Sequence, residues 1–185
     1  MNKLIGGGHC LLALGLLTTN PSLALDQSSA AHGMEPPALN VKGKKFAAGE
    51  RIEKVVPGVS FVVPSDWGAV RPEKEEVVLL GSKKVTGLGW VVVMPPSKDQ
   101  DWEQRLNEPM PFMHRLLNPS AKATREKGIW KNTFVDADDP NLIGWGTVLS
   151  NGSDKHLIYV IECDFQVKMY CEQAMEQLIQ STRID

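Results

Sequence analysis

Apolar positions along the chain gather in short runs at 59–63, 77–80, 88–94, 129–135, 143–149 and 157–163, rich in β-branched and aromatic residues. Gly, Pro, Asp, Asn or Ser bounds each run, which is the pattern of strands separated by turns. Two stretches carry helical spacing instead. Over 97–118, Ser97 and Asp99 are cap candidates and Pro109 and Pro111 interrupt, so two short helices are predicted. Over 167–178, Val167, Cys171, Ala174 and Leu178, with Tyr170 and Met175, form one stripe at spacings of three and four. Such a stripe predicts an amphipathic C-terminal helix packed on a sheet.

Asn151-Gly152 between two strand-like runs is the strongest short-range signal for a two-residue hairpin turn. Counting back from that turn sets Gly146 opposite Leu157, Gly144 opposite Tyr159, Trp145 opposite Ile158 and Thr147 opposite His156. Opposed residues share a face. One face would then carry Leu157, Tyr159, Ile161 and Cys163 with room left by the glycines, and would receive the C-terminal helix. The other would carry Ile143, Trp145, Thr147, His156, Ile158, Val160 and Glu162, covered by the helices of 97–118. A longer loop would shift the register and exchange the faces of one strand.

The N-terminal pattern differs from the rest. Lys3 precedes an apolar run over 10–17, then Thr18, Thr19, Asn20 and Pro21 break it, and Ser22-Leu23-Ala24 supplies small residues at a cleavage site. This is the layout of a secretory signal peptide, residues 1–24, cleaved near Ala24. The run is far shorter than the roughly 20 residues of a spanning helix, and no later run approaches that length, so no integral membrane insertion is expected. Residues 25–45, with Pro36-Pro37 and Lys42-Gly43-Lys44-Lys45, show no periodicity and read as a flexible leader. Residues 46–185 form one domain.

Cleavage leaves 19 basic and 22 acidic residues, a formal charge of −3, which gives no electrostatic case for nucleic acid. It also discards Cys10. Cys163 and Cys171 remain, an even count in an exported chain, and predict a disulfide over the alternative of two buried thiols. The implied location is the periplasm or the secreted fraction.

The segment Pro57-Gly58-Val59-Ser60-Phe61-Val62-Val63-Pro64-Ser65-Asp66-Trp67 resembles the opening of PsbP-like domains, where a short strand ends in proline and a tryptophan follows. A central helical excursion and a long last strand followed by a helix near Ser181-Thr182-Arg183 agree with that resemblance, which spans roughly 46–185. With the strand pattern, it implies an α+β fold: a mainly antiparallel sheet of about six strands sandwiched by helices. It also implies a non-catalytic accessory or binding role, often in an exported protein. It supplies no catalytic residues to carry over, and the Cys163 and Cys171 pair is not a hallmark of the family.

Candidate chemistry is sparse. The mature histidines His32, His114 and His156 have no metal-ligand spacing, so neither metal nor cofactor is expected. His156 and Glu162 on one strand stand roughly 20 Å apart and cannot act together. Asp136-Ala137-Asp138-Asp139-Pro140-Asn141 resembles the start of a calcium loop but lacks the required glycine, and Thr147 stands where the bidentate acid belongs; a solvated turn explains it equally. No nucleophile elbow or phosphate loop occurs, so no catalytic residue is assigned. All five tryptophans lie beyond the signal segment. Trp90 and Trp145 each follow glycine, and together with His156 they are the candidate binding face, against the alternative that the rings fill a core.

The expected function is therefore an exported, non-catalytic binding or accessory protein engaging another envelope or secreted protein. The alternative is an exported hydrolase of a cell-wall or peptide substrate, using His156 or the Asp136–Asp139 cluster. A third option uses the leader as a partner-binding tail.

Overall fold

A computed structural model describes residues 40–53, 58–73, 77–82, 84, 88–94, 102–150 and 156–185. The six predicted strands are all present, as β3 (Val59–Val62), β5 (Val77–Gly81), β6 (Leu88–Met94), β10 (Ile129–Asp136), β11 (Leu142–Ser150) and β12 (His156–Asp164). Seven further short strands join them: β1 (Gly43–Phe46), β2 (Arg51–Glu53), β4 (Gly68–Pro72), β7 (Met110–Phe112), β8 (Arg115–Pro119), β9 (Thr124–Glu126) and β13 (Arg183–Ile184). The helices are α1 (Trp102–Leu106) and α2 (Lys168–Ser181), the latter entered through a 3₁₀ turn.

The main sheet is antiparallel and ten-stranded, in the order β1-β4-β5-β6-β12-β11-β10-β8-β7 with β9 also on β10. A second sheet, β13-β3-β2, takes β3 away from the other predicted strands. Each face of the main sheet holds a core. On one, Leu157, Tyr159, Ile161 and Cys163 of β12 pack against Cys171, Ala174, Met175 and Leu178 of α2 and against Ile52, Val59 and Phe61 of the small sheet. On the other, Val148 and Val160 pack with Phe112, Leu117 and Phe134 beneath Trp102 and Leu106 of α1. The predicted layering places α2 on one face and the 97–118 region on the other, and the described part of that region, 102–118, lies there.

Four details depart from the expected arrangement. Residues 43–45, placed in the leader, form β1 together with Phe46 and pair with β4 from Gly43 opposite Pro72 to Phe46 opposite Ala69. The second helix of 97–118 is instead the β7–β8 hairpin, turned at Met113 with φ 55°. Pro111 suits the outer strand β7, where its missing N–H costs no ladder bond, and would disrupt a helix interior. The cap candidates Ser97 and Asp99 lie outside the described residues. Tyr170, assigned to the buried stripe of α2, is 46% exposed.

The fourth is the β11–β12 register. Ser150 pairs with His156, so five residues separate the strands, and Trp145 lies opposite Ile161, Gly146 opposite Val160 and Thr147 opposite Tyr159. This is three residues from the register of a two-residue turn, an odd shift that exchanges the faces of β11. Asn151-Gly152 itself lies outside the described residues. The packing explains the preference: a Cβ on Gly146 would stand 2.9 Å from Phe134, and one on Gly144 3.1 Å from Leu117. The glycines make room for the large side chains of the α1 face, while Trp145 turns to the α2 face.

Candidate functional site

On the α2 face the helix covers β12 and leaves part of β10 and β11 open. The gap is a cleft of about 370 Å³. Its floor is Thr133 of β10 with Trp145 and Thr147 of β11; Met175 and Ile179 of α2 form the apolar wall. Alternation along the strands places these three floor residues on one face. Helical spacing does the same for the wall. Glu172, Met175, Glu176 and Ile179 recur at three or four residues, beside the buried Cys171, Ala174 and Leu178.

The two rims carry opposite charge. Glu172 and Glu176 stand one turn apart on the helix side, and Lys122 and Lys131 face them across the cleft. Both lysines are engaged, Lys131 with Glu126 at 3.9 Å and Lys122 with Glu103 at 3.5 Å. Glu172 and Glu176 have no ion-pair or hydrogen-bond partner among the described residues. The cleft is thus an open apolar trough beside two available carboxylates.

Cys163 and Cys171 lie at disulfide distance with Cα atoms 6.7 Å apart, both buried, at the N-terminal end of α2. This tether and the Tyr159 hydroxyl bonded to Thr182 hold α2 to β12 near both its ends, so the trough has a fixed wall.

The candidate face of Trp90, Trp145 and His156 is not assembled. Trp145 packs on the α2-side core, whereas His156 lies on the α1 side, where its Nδ1 accepts a hydrogen bond from the Trp102 indole N–H at 3.2 Å. Trp90 is placed by register alone, opposite Val160 and Leu79. The physical cause is the odd register shift, which sends Trp145 to the opposite face from His156. Burial holds the His156 imidazole below its ordinary value.

Nor do the hydrolase candidates converge. Ser150 pairs with His156 at one end of β11 and Ile143 with Val135 near the other, so His156 and Asp136 are separated by roughly 23 Å of strand. Asp136 Oδ1 accepts the backbone N–H groups of Asp138 and Asp139 at 2.8 and 2.9 Å, closing the turn that resembled a calcium loop. Its Oδ2 is buried, 3.6 Å from the Arg115 guanidinium, which also donates to Glu162 Oε1 at 3.0 Å. Burial pushes the Glu162 carboxyl up, opposed by Arg115. Among the described residues no group of three or more His, Cys, Asp or Glu is placed to hold a metal.

A larger groove of about 690 Å³ runs beside β1 and β4. Small residues such as Ala47, Ala48, Gly68 and Gly81 line much of it, and its Lys84 is paired with Asp66 at 3.0 Å. It offers fewer unsatisfied groups than the α2 cleft. Among the described residues no helix is long and apolar enough to cross a membrane.

Composition and motif spacing did not single out Glu172, Glu176, Met175 or Ile179 as a site. A signal existed in the i, i+4 pair of glutamates beside the buried stripe, an arrangement that disfavours an isolated helix.

No family model and no curated protein sequence matches the chain. Among solved structures it is similar to the solution structure of cyanobacterial PsbP (CyanoP) from Synechocystis sp. PCC 6803, with a TM-score of 0.51 at 13% identity, covering 76% of this chain and 94% of that one. It is also similar to the Ran-binding protein Mog1p of Saccharomyces cerevisiae, with a TM-score of 0.49 at 8% identity, covering 73% of this chain and 94% of that one. The fold is PsbP-like.

Proposed function

We propose that the chain is an exported, non-catalytic accessory module that engages another envelope or secreted protein through the α2 cleft. The observation that carries this reading is the trough itself, with Trp145 on its floor, an apolar helix wall and charged rims open to solvent. Export is supported by the signal-peptide pattern of residues 1–24 and by a cysteine pair at disulfide distance. The PsbP-like fold is compatible with this role without specifying it.

Site-specific photocrosslinking tests the reading. A benzophenone side chain in place of Thr133, in the full chain expressed in its native envelope, should give a discrete protein adduct. Trp145→Ala should abolish that adduct. The same probe at Arg105, exposed on the α1 face, should give none. Equal adducts from both positions, or none from Thr133, would overturn the proposal.

A further inference from the structure

The charge state of the cleft specifies its occupant further. Of the four charged side chains on its rims, the two lysines already neutralise Glu103 and Glu126. The two glutamates remain available, one turn apart and pointing along the same wall as Met175 and Ile179. Two like charges at this spacing repel each other on a helix, and a cation between them removes that repulsion. The same cleft is lined by the half-buried indole of Trp145, a ring whose face attracts cations and whose apolar surface accepts an aliphatic stem. Carboxylates beside an aromatic ring on the floor and an aliphatic helix wall match one kind of side chain, a long apolar stem ending in a positive charge.

We infer that the cleft docks an extended segment of a partner protein carrying arginine or lysine beside apolar residues, a conclusion that rests on the cleft being the docking site. The cationic head sits between Glu172 and Glu176. Its stem lies against Trp145 and Met175, and a neighbouring apolar side chain fills the space beside Ile179. An acidic segment is disfavoured, because its carboxylates would stand beside the unpaired Glu172 and Glu176.

Two short synthetic peptides test this with the mature protein, one alternating leucine with arginine and its twin alternating leucine with glutamate. The arginine peptide should bind, shift the Trp145 indole N–H resonance, and weaken as salt rises. Glu172→Gln with Glu176→Gln should weaken that binding at least 10-fold. Glu53→Gln with Glu73→Gln, an equal charge change at exposed positions outside the cleft, should leave it within twofold. Equal binding of the glutamate twin, equal losses in both double variants, or binding that leaves the Trp145 resonance unmoved would overturn the inference. Binding of both twins with the Trp145 shift would remove the charge preference and leave the docking cleft standing. Failure of both peptides together with failure of crosslinking from Thr133 would remove both.

Discussion

Tyr159, at the centre of β12, hydrogen-bonds the hydroxyl of Thr182 immediately after α2. The Thr182 hydroxyl donates to the Leu178 carbonyl at 2.6 Å, so Tyr159 is the donor to it. The ring is buried edge-on to Phe61, centroids 5.8 Å apart. This bond fixes the C-terminal end of the cleft wall. Tyr159→Phe should cost about 1 kcal/mol in urea unfolding. In a double-mutant cycle with Thr182→Val, the two losses should be less than additive.

At the other end of α2, the bridge between Cys163 and Cys171 spans eight residues. Closing so short a loop restricts the unfolded chain by about 2–3 kcal/mol. Unfolding in the presence of dithiothreitol should show a loss of that order. Cys163→Ser with Cys171→Ser should show the same loss and no further response to reductant.

Gly43 tests the extension of the sheet into the leader. A Cβ there would stand 2.3 Å from the Arg71 carbonyl oxygen, backbone that cannot move aside without parting the strands. Gly43→Ala should cost about 1–3 kcal/mol. Hydrogen exchange should accelerate over 44–46 and 69–72 while the β12 amides stay protected.

The Arg115, Asp136 and Glu162 cluster predicts a pH-dependent defect. Arg115→Met leaves two buried carboxylates without their cation and should cost about 2 kcal/mol at neutral pH, less than for a fully buried partner because Arg115 is itself half-exposed. The folded-state pKa of Glu162 is raised above 4.5, and loss of Arg115 raises it more. The folded state therefore holds the proton longer, and the variant's deficit should be smallest below pH 4.5 and grow as pH rises through the folded value. A deficit independent of pH would contradict this account.

His156 carries the opposite sign. Its folded pKa lies below the ordinary 6.5, so the unfolded chain takes up a proton first as pH falls. Its contribution is intact above pH 6.5 and is lost as pH drops from there toward the lower folded value. The difference in melting temperature between the wild type and His156→Gln should change across that window and level off above it.

Local patterning along the chain defines the units: six strands from their apolar runs, a C-terminal helix from its stripe, and Cys163 and Cys171 close enough along the chain to meet. These are local properties, decided by periodicity within a few residues. What it left open was how units face one another. The β11–β12 register depends on Phe134 and Leu117, side chains that must occupy the space above Gly144 and Gly146, and no pattern within the hairpin encodes that demand. The hairpin over 110–119 depends on β10, which receives β8 as a ladder partner. Packing in three dimensions therefore parts Trp145 from His156 and sets it on the floor of a cleft walled by α2, because a face is chosen by the packing of distant residues and not by the strand that carries it.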